Sequence, residues 1–401
     1  MVSIAGQQTT VVLDSGSSEL WVDPDCSTAS RASGGDGENE TVDTPTTDPA
    51  FCRAVGRYDP SKSNSAQKLD AGTTFQYADY TAVTVNYYSD DISIGGLTIQ
   101  DQIFGVANAS NQTALGIMGI GPSSLEGFNK SKPYSLILES LATQGLINSR
   151  AFSLDLRDYD NSTGSLIFGG VDKGKYIGTL DKIPIQTQQM TFGGQDYAVF
   201  GYWVTVTSLG LTQPGSKSSN AYTVPDGSFV ATLDSGTSQI LLPEGLASQI
   251  CSDVNGTSSG DAGGCTVDCS VRDLPGGLDF GINGKTIQVT YQNLVSAFEY
   301  QGHTYCFLDA STSGVDTTPP TYILGSPFLR DTYAVFDWDN QNVHLAQAAD
   351  CGSDIVAIGN GTNAVPTDKG NCKTDSGSIH SAVINIGFVL AAAAFGIVMA
   401  L

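Results

Sequence analysis

Basic residues are scarce in this 401-residue chain: 18 Lys and Arg stand against 41 Asp and Glu, a formal net charge of −23. A surface of that sign repels phosphate backbones and anionic bilayers, which removes nucleic acid and anionic membrane surfaces as partners. Histidine is rarer still, and His303, His344 and His380 read as structural or surface residues. Neither they nor the eight cysteines fall at C-x-x-C or Cys/His zinc spacing, so no metal site is expected. Long apolar patterns of helical period are also rare. In their place stand 46 glycines and abundant Ser and Thr. That composition disfavours a helical protein and predicts a mainly β chain with many turns.

What is present points to an oxidising compartment. The cysteine count is even, and seven Asn-x-Ser/Thr sequons occur, at Asn39, Asn108, Asn111, Asn129, Asn161, Asn255 and Asn360. Together they predict a glycosylated, disulfide-bonded protein of the secretory pathway. Between Cys26 and Cys52 the sequence is polar, acidic and nearly free of apolar residues, so it reads as a surface loop closed by a Cys26–Cys52 disulfide. The end, "VINIGFVLAAAAFGIVMAL" (383–401), has no polar face. Small residues at Ser376, Gly377 and Ser378 precede it, which fits a removable GPI-attachment signal, with a tail-anchoring helix as the alternative. No signal peptide opens the chain although the other features demand one, so the expectation is that the true N-terminus is missing.

The pattern of strands is written twice. "FQYADYTAVTVNYYSDDISIGGLTIQDQIFGV" (75–106) alternates around a Gly-Gly turn and predicts hairpins, "LEGFNKSKPYSLILESLATQGLI" (125–147) predicts the one clear helix of the first half, and "YWVTVTSLGL" and "TIQVTY" predict strands later on. "VVLDSGSSELWV" around Asp14 is followed about a hundred residues later by "ALGIMGIG" (114–121). "ATLDSGTSQIL" around Asp234 is followed about ninety later by "YILGSPFL" (322–329). Two halves built alike, each with one singular Asp, predict a pseudo-twofold with both Asp residues on its axis.

An Asp at the end of an apolar strand, followed by Ser-Gly, sits where a buried strand breaks into a tight turn. Gly16 and Gly236 allow the turn, and the small Ser15 and Ser235 allow close approach. The hydroxyls of Ser17 and Thr237, three residues after each Asp, can brace the carboxylates. Two carboxylates brought together in a dry site cannot both ionise, so they share a proton, as aspartic-protease dyads exemplify. The ionised partner can then take a proton from water while the other hydrogen-bonds a scissile carbonyl. No cofactor is needed, and the optimum should be acidic.

These residues carry a resemblance. "VVLDSGSSELWV", "LGIMGIG", "FSLDL…GSLIFGGVDKGKY…IPI", "ATLDSGTSQILLP" and "YILGSPFLRDTYAVFD" follow one another as in pepsin-family aspartic endopeptidases, and the chain most resembles the fungal GPI-anchored yapsin type. The resemblance runs from about Val2 to Ala348 and implies a bilobal pepsin-like β fold with a peptide-binding cleft between lobes. It implies lobes at 1–172 and 173–348, followed by a linker (349–382) and the anchor signal (383–401). Asp14 and Asp234 take the catalytic positions, Trp21 the tryptophan behind the flap, and Tyr77 the flap tyrosine, with Tyr80 as the alternative. Cys269–Cys306 matches the second-lobe disulfide, leaving Cys251–Cys265 and Cys351–Cys372 as further pairings. The family also implies a propeptide and a first strand that are not seen ahead of Asp14, peptide or protein substrates, and a monomer anchored to plasma membrane or wall. The acidic loop 36–48 then suggests a preference for basic residues. The rival reading is a catalytically silent, anchored pepsin-like binding protein.

Overall fold

The computed structural model describes residues 1–23, 56–77, 82–111, 115–122, 134–158, 163–192, 195–199, 201–216, 218–259, 264–313, 320–373 and 397–400. The acidic loop, the Cys26–Cys52 pair, Tyr80, His380, Asn39, Asn129, Asn161 and most of the apolar tail lie outside them. The chain divides into two compact units, Met1–Leu146 and Ile147–Leu401.

The first unit holds β1 (Val2–Ile4), β2 (Gln7–Thr9), β3 (Val11–Asp14), β4 (Leu20–Val22), β5 (Gln67–Gln76), β6 (Ala82–Ile94), β7 (Leu97–Asn111), β8 (Gly116–Gly119) and the helix α1 (Ile137–Thr143). Its sheet runs β2-β1-β6-β7-β4-β8-β3, with β5 paired to β6 alone among the described strands. The Gly-Gly turn is the β6–β7 hairpin: Gly95 and Gly96 both adopt positive φ, 57° and 87°, as a tight two-residue connection requires. Along β6 the buried residues alternate, Val83, Val85, Tyr87, until Ser89 and Asp90 are both buried. The register against β7 shifts between Asp90 and Ile92, as two successive inward residues demand. Asp90 is satisfied there by Tyr58 Oη at 2.8 Å and Ser65 Oγ at 2.6 Å.

The predicted helix over 125–147 is present as seven residues. Gly145, at φ 72°, ends it, with Leu146 N–H returning to Leu141 C=O at 2.9 Å. The helix starts after Leu136, whose extended backbone caps it while the Leu136 N–H donates to the Glu139 carboxylate at 3.2 Å, three residues behind Pro133.

The second unit repeats the strand-rich plan. Its strands are β9 (Ala151–Asp155), β10 (Ser165–Phe168), β11 (Gly170–Asp172), β12 (Tyr176–Pro184), β13 (Gln188–Phe192), β14 (Gln195–Val199), β15 (Trp203–Thr212), β16 (Ser219–Ala221), β17 (Phe229–Leu233) and β18 (Ile240–Leu242). They continue as β19 (Thr257–Ser259), β20 (Gly264–Val267), β21 (Gly277–Ile282), β22 (Lys285–Thr290), β23 (Val295–Tyr300), β24 (His303–Leu308), β25 (Ala310–Thr312) and β26 (Tyr322–Leu324). The last are β27 (Thr332–Asp337), β28 (Asn342–Ala348), β29 (Ile355–Ala357) and β30 (Ile397–Ala400). One sheet runs β22-β21-β15-β17-β26-β18-β25, another β12-β28-β27-β9-β10-β30.

Segment 147–172, placed with the first lobe on sequence, thus pairs its strands inside the second unit. Residues 349–373, read as a linker, are folded as well. β29 pairs with β11, Cys351–Cys372 closes the segment, and Ile358 and Val365 are buried beside Tyr176 and Tyr333. The signal missed was the apolar spacing of Ile358, Ala364 and Val365 within a polar stretch. Two further disulfides are present, Cys251–Cys265 and Cys269–Cys306. Of the apolar tail only β30 is described, paired antiparallel with β10, and no helix among the described residues is long and apolar enough to cross a membrane.

Burial sets the pH response of this unit. Asp309 and Asp331 are pushed up to about 6 by desolvation, although each accepts hydrogen bonds, from Ser296 Oγ and from Thr290 respectively. A carboxyl raised in the fold contributes stability that is complete below its ordinary value and lost as pH rises through about 6. His344, 3 % exposed on β28, carries two ring nitrogens without a hydrogen-bond partner, and burial lowers its pKa to about 4. Its contribution has the opposite sign: present above about 6.5, lost as pH falls through 4. His344→Leu should therefore leave neutral stability little changed and raise it near pH 3 by up to about 3 kcal/mol. Thermal melts of both proteins from pH 7 to 3 would show this, and parallel curves would refute it.

Candidate active site

The two Asp-Ser-Gly phrases fold into the same local structure. In the first unit β3 runs parallel to β8, with Asp14 opposite Gly119, and β4 returns antiparallel to β8, with Leu20 opposite Met118. In the second, β17 runs parallel to β26, with Leu233 opposite Leu324, and β18 returns antiparallel, with Ile240 opposite Leu324. Each Asp therefore stands where one strand leaves a central strand and the next rejoins it.

The turns are braced alike. Asp14 Oδ1 accepts the Gly16 N–H at 2.8 Å, and its Oδ2 accepts the Ser17 hydroxyl in a short bond. Asp234 Oδ1 accepts the Gly236 N–H at 2.8 Å, and its Oδ2 accepts the Thr237 hydroxyl at 2.6 Å. Each carboxylate is thus aimed by its own turn. Asp14 and Ser15 are buried, Asp234 and Ser235 half-buried, and both glycines are exposed at the tips.

The downstream glycine phrases explain themselves here. A Cβ on Gly119 would strike the backbone of Ser18 and Glu19, and one on Gly325 would strike the carbonyls of Thr237 and Gln239. Gly121 N–H then donates to Ser17 C=O at 2.7 Å, and Ser326 N–H to Thr237 C=O at 2.7 Å. The central strand lies against the Asp turn only because nothing projects from it.

Trp21 and Tyr77 meet: the indole Nε1–H of the fully buried Trp21 donates to Tyr77 Oη at 2.7 Å. Tyr77 follows β5 directly and, with Phe75 and Gln76, faces Gly16, Ser17, Ser18 and Glu19 across a cavity of about 260 Å³. Of these lining residues, Ser18, Glu19, Phe75 and Gln76 carried no functional reading on sequence. Only adjacency to the Asp14 turn could have singled out Ser18 and Glu19. Among the described residues no group of three or more His, Cys, Asp or Glu is arranged to hold a metal ion. Of the described sequons, Asn108, Asn255 and Asn360 are exposed, as a glycan would require.

Comparison with known proteins agrees with this geometry. The chain is 34 % identical over 348 residues to secreted aspartic protease 3 of Candida albicans, covering 85 % of this chain and 76 % of that one. It is 32 % identical over 370 residues to the probable aspartic-type endopeptidase opsB of Aspergillus oryzae, covering 90 % and 70 %, and 33 % identical over 353 residues to the acid protease of Saccharomycopsis fibuligera, covering 86 % and 79 %. The aspartic proteinase of Irpex lacteus shares the fold, with a TM-score of 0.60 over 87 % of this chain and 93 % of that one at 18 % identity. Residues 2–348 match the eukaryotic aspartyl protease family, and with two identically braced Asp turns in a mainly β, two-unit, pepsin-like fold, the chain belongs to that family.

Proposed function

We propose that this protein is an endopeptidase that hydrolyses peptide bonds at acid pH, with Asp14 and Asp234 acting as a pair on one water. The observation that carries the reading is the matched bracing of the two carboxylates, N–H to Oδ1 and O–H to Oδ2 in both turns. Donors fixed before the substrate arrives keep the oxygens aimed and require no reorganisation during reaction. With one proton between them, the ionised carboxylate deprotonates the water as it attacks, and the protonated one hydrogen-bonds the carbonyl oxygen as it gains charge. The proton then passes to the departing amine, and no covalent intermediate forms. Trp21 holds Tyr77 above the Asp14 turn, where it would close over substrate.

Its relatives include a secreted protease, which supports a secretory route for this chain. Glycans at the exposed sequons, anchoring of yapsin type through the C-terminal apolar segment, and a monomeric state belong to the same proposal. So does a preference for basic side chains, which rests on the acidic run Asp36, Glu38, Glu40, Asp43 and Asp48. Each such charge contributes modestly and is screened by salt.

The test is hydrolysis of a mixed peptide library at acid pH, with and without pepstatin. Pepstatin-blocked cleavage is the expected result, and cuts enriched beside Lys or Arg would support the acidic loop's role. A folded chain that binds peptides and cleaves none would leave the silent binding protein as the correct reading.

A further inference from the structure

Glu19 is 6 % exposed, and one oxygen of its carboxylate, Oε2, accepts two phenolic hydroxyls: Tyr87 Oη at 2.7 Å and Tyr134 Oη at 2.7 Å. The donors come from separate places, β6 and the segment ahead of α1, and their rings meet edge to face at 5.8 Å. Glu19 itself closes the Asp14 turn, and its carbonyl accepts the Gly119 N–H at 3.0 Å. Two residues on, Trp21 packs in the cluster that holds both tyrosines, with Tyr77 and Phe75 against its edge. One carboxylate therefore ties the Asp14 turn to the strand and the segment that pack around Trp21.

We propose that Glu19 is a positioning residue for substrate binding: through Tyr87 and Tyr134 it sets Trp21, which holds Tyr77 as a wall of the 260 Å³ cavity. This rests on the endopeptidase reading and adds to it a residue that touches no reacting atom. A shared acceptor for two phenols is directional, so an isosteric apolar residue would take this acceptor away from both hydroxyls, while an amide oxygen would still accept.

The experiment compares Glu19→Leu, Glu19→Gln and Tyr134→Phe with the parent chain at a temperature where all are folded. Glu19→Leu should raise KM roughly tenfold and leave kcat within about threefold, because Tyr77 helps bind rather than transfer protons. Glu19→Gln should stay within about threefold on both constants, and Tyr134→Phe should raise KM by about threefold. The second readout needs no turnover. The near-UV dichroism of Trp21, taken as the difference from Trp21→Phe, should be lost in Glu19→Leu and kept in Glu19→Gln. An unchanged KM or an unchanged Trp21 signal in folded Glu19→Leu overturns the proposal, and if that variant does not fold, Tyr134→Phe decides in its place. A parent chain that cleaves nothing refutes the endopeptidase reading alone, and the dichroism still decides the role of Glu19.

Discussion

Asp14→Asn or Asp234→Asn should reduce peptide hydrolysis at acid pH by roughly 10⁴-fold or more, with folding and pepstatin-independent properties intact. The two carboxylates divide two duties between them, proton acceptor from water and stabiliser of the forming oxyanion, and both depend on the proton they share. A general base is worth about 10²–10⁴ and an oxyanion donor about 10²–10³. Asn keeps the shape: its Oδ1 still accepts the Gly N–H, and its Nδ2 can donate to the Ser17 or Thr237 hydroxyl once that hydroxyl rotates, so the turn should survive while the proton is lost. The control is built into the fold: Ser17→Ala and Thr237→Ala remove only a brace, and each should cost far less, about tenfold. Steady-state rates on one good peptide decide the matter. A single Asn variant that keeps a tenth of the activity would refute a two-carboxylate mechanism.

Removing Cys269–Cys306, by Ala at both positions, should be the most destabilising of the surface-remote changes. The bridge closes 37 residues, spanning β21, β22 and β23, and ties a 3-10 turn at Cys269–Asp273 to β24. The chain-entropy estimate for a loop of that size is about 4 kcal/mol, against about 3 kcal/mol for the 14-residue loop of Cys251–Cys265. The far half of the hairpin it holds is poorly buried: Phe298, Tyr300 and Tyr305 are exposed, and its other anchors are the short pairing of β24 with β20 and the buried Val295 and Leu308 at its base. A fall in Tm of about 10 °C is expected, larger than for the Cys251–Cys265 pair. Calorimetry of the two double variants tests both the size and the order, and equal small falls would show that packing alone carries this region.

The Asp-Ser-Gly turns were readable because they are local. An Asp, its glycine and its hydroxyl lie within four residues, and their hydrogen bonds need nothing from elsewhere in the chain. The glycine phrases were readable as a repeat, although why Gly119 and Gly325 must lack side chains appears only when the strands lie against the turns. What escaped is what depends on distant partners. Glu19 meets Tyr87 and Tyr134 across 68 and 115 positions, and no spacing along the chain announces such a contact. Within the span 125–147 expected as a helix, the sequence itself carries Gly127 and Pro133, and the described helix begins only beyond Pro133. The segment 349–373 misled because it, too, depends on distant residues: its few apolar residues, Ile358, Ala364 and Val365, are enough to bury it once Tyr176 and Tyr333 offer a surface.

β5, the strand leading to Tyr77, is bonded on one side only among the described strands, and every second residue along it faces solvent. Among the described strands no ladder protects the alternate amides that point away from β6, and the register slip between Lys68 and Gly72 weakens the pairing further. Local opening should therefore be far easier here than at β17, which is held by β15 on one flank and β26 on the other. In hydrogen–deuterium exchange the stretch from Thr73 to Tyr77 becomes a natural reporter: quick to take up deuterium alone, and slowed when an occupant presses Tyr77 down.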